Sequence, residues 1–206
     1  MIKLQPKTDF LTEILHFIAK YAKIYLPRSN KIPLSGCVRL FNGGVSMARN
    51  EKRRMFILIT PVCVANNFIK RGKAEDIEIT PLKLQKLIYF LFAEYLRRTD
   101  DTLFTERFET WTLGPVVPSV YAEFSSYGKK PIETYASDSR GNSYVVTETG
   151  VFKQCIDKIW CQYRDYSGET LSQLTHRPGT AWSKAKEAQK RYLELGDIKN
   201  EPEQIA

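Results

Sequence analysis

Apolar residues recur at helical spacing in several stretches of the chain, and each stretch is bounded by residues that start or stop helices. Phe10, Ile14, Phe17, Ile18, Tyr21 and Tyr25 follow Thr8 and end at Pro27, which predicts an amphipathic helix over about 9–26. From Pro27 to Arg54 the periodicity is lost among Pro33, Gly36, Asn42, Gly43 and Gly44, and that stretch reads as a linker. Thr60-Pro61 and Thr80-Pro81 are two copies of one device. A threonine hydroxyl caps the first free amides, and a proline takes the first helical position, where no amide donor is missed. The first copy opens a helix carrying Val64, Ala65, Phe68 and Ile69 toward Gly72. The second places Leu84, Leu87, Ile88, Leu91, Phe92, Tyr95 and Leu96 on one face of a helix over about 81–98, the expected centre of the fold.

Beyond it the period shortens. Residues 107–113 alternate and are rich in β-formers, Gly114-Pro115 breaks the run, and Pro118 starts a short helix through Tyr121 and Phe124 to Gly128. Residues 131–136 and 143–147 flank the turn-rich Ser137–Asn142 and predict a β-hairpin. Thr147 is the expected cap of a helix bearing Phe152, Ile156, Ile159, Trp160 and Tyr163. A short helix near 169–175 and a last one after Pro178-Gly179-Thr180 follow, and 196–206 reads as a frayed polar tail. The expected fold is mainly α (α+β): a compact helical domain around the 81–98 helix, with a small sheet. Three parts are expected: a basic extension over 1–55, the domain over 56–195 and the tail. Met47 and Met55 stand as alternative starts to the extension.

Composition and charge refine this picture. With 206 residues, 43% hydrophobic and 26% charged, the chain has the profile of a globular domain rather than a disordered one. The apolar stretches are interrupted by charges far short of the roughly 18 residues a membrane span requires, and no secretory signal is legible, so a cytoplasmic protein is expected. The net charge of +8 is uneven: residues 1–73 hold 14 Lys and Arg against 3 acids, whereas 74–206 hold 17 against 20. Arg49, Lys52, Arg53 and Arg54 are therefore the candidate nucleic-acid contacts, of the kind that neutralise phosphates with strong salt dependence.

Candidate chemistry is sparse. Four cysteines lack the spacing of a zinc or redox motif and read as buried thiols, and two histidines cannot build a His-rich site, so no metal is expected. No nucleophile elbow or phosphate-cradling loop is present, and His176 at a helix end reads as a carbonyl cap or a hydrogen-bonded corner. No catalytic residue is assigned.

Five segments stand in a telling order: Val64–Ile69, Ile79–Phe90, Trp111–Tyr121, Phe124–Ile132 and Leu171–Trp182. Together they resemble the Panacea family, also described as the SocA-like antitoxin or phage-associated protein domain, over about 61–187. The positions that carry the likeness are Thr80, Pro81, Lys83, Gln85, Lys86, Tyr89, Trp111, Gly114, Pro115, Pro118, Tyr121, Tyr127, Gly128, Thr175, His176 and Trp182. Thr110 and Leu113 depart from it, standing where an alanine and an aromatic residue are usual.

The resemblance implies an antitoxin, a helical domain that binds a cognate protein toxin and keeps it inactive, with no cofactor and no catalytic residue. In the best-known relative such a domain delivers its toxin to an ATP-dependent protease, which makes a proteolytic adaptor the second expectation. A nucleic-acid-binding autoregulator acting through the basic extension is the third. Lys83 and Lys86 are expected on the polar side of the central helix. A groove between them and the Trp111–Pro118 corner is the expected toxin contact, with the motif residues serving either that contact or the fold.

Overall fold

In the computed structural model, residues 37–40 and 59–202 are described. They fall in one compact unit, Ser35–Ala206. The helix expected over 9–26 and the candidate contacts Arg49, Lys52, Arg53 and Arg54 lie outside the described residues. The order is β1 (Cys37–Leu40), α1 (Pro61–Glu75), α2 (Pro81–Thr99), β2 (Glu109–Trp111), β3 (Gly114–Val116), α3 (Pro118–Phe124) with a 3-10 turn after it, β4 (Ser143–Val146), α4 (Gly150–Tyr163), α5 (Gly168–Thr175), α6 (Ala181–Glu187) and α7 (Leu195–Asn200). The molecule is mainly α with a little β.

The threonine-proline starts behave as the sequence predicts. Thr60 Oγ1 accepts from Cys63 N at 3.2 Å and Thr80 Oγ1 from Lys83 N at 3.3 Å, with prolines at the first helical turn of α1 and α2. Ser167 and Thr180 cap α5 and α6 in the same way. Thr147 does not cap α4: Thr149 takes the capping position, and its side chain makes no capping bond.

Helix α2 is buried continuously from Lys83 to Glu94, because α1, α4, α5, α7 and the β2–β3 hairpin surround it. Its apolar face is therefore not its only buried face. Among its buried residues are the polar Lys83, Gln85, Lys86 and Glu94, each bonded to a partner. Glu94 sits among Arg98 at 2.5 Å, Lys158 at 3.1 Å and Arg97 at 3.5 Å. Burial alone would raise its pKa, but hydrogen bonds from Arg98 and Lys158 outweigh that and hold it below the usual value. Aromatic contacts knit the far side: Phe92, Phe104, Phe108 and Tyr89 pack in edge-on or tilted pairs, and Phe90 stacks on Tyr163 at 4.6 Å.

The hairpin expected between 131–136 and 143–147 is a correction. The turn forms, with Asp138 N bonded to Asn142 O at 2.9 Å, and 143–146 is a strand. Residues 131–136 are not. The Asn66 amide lies between the two segments, donating to Ala136 O at 3.0 Å and Tyr144 O at 2.9 Å while accepting from Ala136 N at 2.9 Å. Asn67 does the same one residue on, donating to Val146 O and accepting from Val146 N, both at 2.8 Å. Two asparagine side chains of α1 thus stand where a neighbouring strand's amides would. The other edge of β4 pairs antiparallel with β1, with Cys37 opposite Val146 and Leu40 opposite Ser143, so residues placed in a linker by sequence form a strand.

The tail expected to fray over 196–206 is a second correction as far as residue 202, and 203–206 lie outside the described residues. Thr110 N bonds Arg191 O at 2.8 Å and Leu193 N bonds Phe108 O at 3.0 Å, which lays the chain along the free edge of β2. Helix α7 follows, and Leu193, Ile198 and Glu201 are buried. An apolar residue at each turn and one partnered carboxylate hold a segment whose average polarity suggested fraying.

Candidate functional site

The run from Trp111 to Val117 folds as a tight hairpin: Trp111 faces Gly114, Thr110 faces Pro115 and Glu109 faces Val116. What reads as a Gly-Pro break is the return strand itself. A proline is tolerated there because, among the described residues, no further strand pairs with the other side of β3, so its missing amide breaks no ladder.

Side chains from three helices grip the hairpin's backbone almost residue by residue. Trp182 Nε1 donates to Trp111 O at 2.9 Å, His176 Nε2 lies 3.0 Å from Thr112 O, and Ser172 Oγ donates to Leu113 O at 2.8 Å. Lys86 Nζ donates to Pro115 O at 2.8 Å. Gln85 makes a two-point bond to Val117, donating to its carbonyl at 3.2 Å and accepting from its amide at 2.9 Å. The other ring nitrogen of His176 lies 2.5 Å from Ser172 O, and the ring packs on Trp182 with centroids 3.8 Å apart. His176 is thus held in a corner between α5 and the hairpin.

Lys86 is completely buried with no carboxylate beside it, and that desolvation lowers its pKa to about 7. Thr175 Oγ1, which donates to Ser172 O at 2.7 Å, and Lys86 Nζ together fill the space where a side chain at 114 would begin. A Cβ there would lie 2.5 Å from Thr175 Oγ1 and 2.8 Å from Lys86 Nζ, and the backbone at 114 has a φ of 104°. Glycine is required on both grounds. Lys83 reaches the carbonyl of Arg164 at 2.5 Å, and Gly168 lets α5 approach the start of α2, since a Cβ there would lie 2.9 Å from Lys83 N.

These positions correct the expected groove. Lys83 and Lys86 do not line an open polar face; they are buried, as is Gln85, and the hydrogen-bonding heads of all three rest on backbone groups of other elements. Tyr89 is buried too and donates to Glu201 Oε2 at 2.7 Å, and the same oxygen accepts from Ala181 N at 3.0 Å. Burial raises the pKa of both groups, with the Glu201 charge adding to the rise at Tyr89. Of the motif residues, Trp111, Gly114, Pro115, Thr175, His176 and Trp182 converge on the hairpin with Lys86 and Gln85. Thr80 and Pro81 serve the start of α2, and Pro118 serves the start of α3. Tyr121 stands outside, 46% exposed, edge-on to Trp111 at 4.6 Å. Leu113 at the turn is 59% exposed.

Sequence reasoning missed Ser172, Asn66, Asn67 and Glu201. Ser172 had a signal, since it lies three and four residues before Thr175 and His176 on one helix face. Glu201 had none, because its partners are remote in sequence. Among the three cysteines described, only Cys155 is buried, with its thiol pushed up to about 11; Cys63 is half-buried and Cys161 exposed. Among the described residues no group of three or more His, Cys, Asp or Glu could hold a metal ion, and no helix is long and apolar enough to cross a membrane.

A family model described as "Antitoxin SocA-like, Panacea domain" matches residues 84–183. The chain is also similar to a protein named Antitoxin SocA from Caulobacter vibrioides (strain NA1000 / CB15N). The two are 31% identical over 124 residues, which cover 58% of this chain and 66% of the relative, just under two thirds of its length. No solved structure matches. The family match is narrower than the 61–187 likeness read from motifs, yet it contains Gln85, Lys86, the whole hairpin and its clamps from Ser172 to Trp182. Over residues 84–183 the chain is therefore similar to the SocA-like Panacea domain.

Proposed function

We propose that this protein is an antitoxin that neutralises a cognate protein toxin by binding it directly, without catalysis and without a cofactor. One observation carries the reading: the antitoxin-family match contains the hairpin and every residue whose side chain clamps it, Gln85, Lys86, Ser172, His176 and Trp182. The chemistry of that corner fits a binding role. Its polar heads are directed at backbone groups within the domain, and the residues exposed at its turn and beside it, Thr112, Leu113 and Tyr121, are uncharged. Neutralisation by masking requires an interface of roughly 1,200–2,000 Å² with a few large side chains dominating the energy.

The test is a growth assay. The product of the small reading frame adjacent to this gene is expressed alone and together with the full chain. The expected result is arrest by the neighbour alone, rescue on co-expression, and co-purification of the two proteins in a stoichiometric complex. Rescue without a complex, accompanied by a shortened half-life of the toxin, would favour the proteolytic-adaptor reading. Retention of nucleic acid with no protein partner would favour the autoregulatory one.

A further inference from the structure

We infer that the hairpin turn is the probe that enters the toxin, with Leu113 as the inserted side chain and the Trp111–Tyr121 pair as the platform beside it. This rests on the antitoxin reading and deepens it by naming the contact.

The argument begins with rigidity. Turns are ordinarily the mobile parts of a fold, and a short hairpin is marginal by itself. Here three consecutive carbonyls, of Trp111, Thr112 and Leu113, each have their own side-chain partner from α5 or α6: Trp182, His176 and Ser172. Lys86 holds the return strand from beneath. So many partners on one turn fix the direction in which its side chains point. Ordering a mobile loop costs binding free energy, and a tip fixed in advance avoids that cost.

Apolar exposure supplies the second leg. Leu113, Tyr121 and Leu195 are the exposed large hydrophobic residues among those described, and the first two lie at this one corner. A leucine held 59% exposed by a rigid turn gains nothing for the fold by its position. Charge supplies the third. Trp111, Thr112 and Leu113 carry none, and the neighbouring Glu109 is already engaged by Trp111 Nε1 at 2.8 Å and by Arg191 at 2.9 Å. An uncharged tip complements an uncharged cavity, so the occupant is a toxin presenting an aliphatic- or aromatic-lined pocket deep enough for one leucine.

The test measures affinity between the full chain and the toxin with which it co-purifies, by calorimetry, for the unchanged protein, Leu113→Asp, Leu113→Ser and Leu195→Asp. Circular dichroism and melting temperature establish that each variant is folded. Leu113→Asp is expected to weaken binding on the order of tenfold or more, as truncation of a buried interface residue does, and Leu113→Ser to weaken it in the same direction. Leu195→Asp, which charges a similarly exposed residue on α7, is expected to bind as the unchanged protein does. Unaltered affinity in both Leu113 variants would overturn the inference while leaving the antitoxin reading intact, as would an equal loss in Leu195→Asp. A full chain with which no toxin co-purifies would overturn both together.

Discussion

Gly114 has no room for a side chain, since the Lys86 ammonium and the Thr175 hydroxyl occupy the place and the backbone is in a conformation that L residues rarely adopt. Gly114→Ala is expected to destabilise the fold by about 2–4 kcal/mol, combining backbone strain with overpacking, as read by urea denaturation. Lys86 makes a prediction of a different kind. Its folded pKa of about 7 lies below the ordinary 10.5. Between those values the unfolded chain binds a proton that the folded chain does not, so this residue makes stability rise with pH across that window and contributes no slope well below pH 7. The slope approaches about 1.4 kcal/mol per pH unit at most. Urea titrations from pH 7 to 8.5 should show a smaller rise in Lys86→Met than in the unchanged protein. Identical slopes would mean that the amine is solvated, contrary to its burial against Pro115.

At the scale of elements, buried amide side chains substitute for strands. Asn66, Asn67 and Gln85 each bond both the amide and the carbonyl of one residue, Ala136, Val146 and Val117 respectively. Asn67→Leu keeps the helix and the volume but strands two buried backbone groups, and should cost roughly 2–4 kcal/mol in thermal or urea unfolding. The helices were legible in the sequence because their signals are local: threonine before proline, a 3.6-residue apolar period and a capping serine are all read within a few positions. The partner of β4 was not. The short run Cys37–Leu40 gives little pattern above its surroundings, and the preference of 143–146 for it over 131–136 depends on Asn66, some 70 positions from its partner Ala136. The corner was recognised from its motif, yet the inward direction of Lys83 and Lys86 could not be read from a helical wheel, on which Lys86 falls opposite the apolar stripe and Lys83 at its edge. Burial on two sides appears only once the hairpin and α5 are placed against the helix.

Across the whole molecule, the chain after the family match closes the domain. The 191–193 segment edges β2, α7 covers the core, and Glu201 ties Tyr89 of the central helix to the first turn of α6. Tyr89→Phe and Glu201→Leu should each cost about 1–3 kcal/mol, and together less than the sum, because either change already removes the bond between them. A double-mutant cycle on unfolding free energy checks this, and strict additivity would show that the tie is not formed. The excess positive charge falls within the first 73 residues of the sequence, while the part that matches the antitoxin family is close to neutral.

Direct binding is the central claim, and purified components test it most directly. The full chain is mixed with its purified toxin in the absence of any protease or nucleotide, followed by size-exclusion chromatography with a concurrent assay of toxin activity. A stoichiometric complex in which the toxin is inactive is the predicted result. Two proteins that elute separately, with the toxin fully active, would contradict the account.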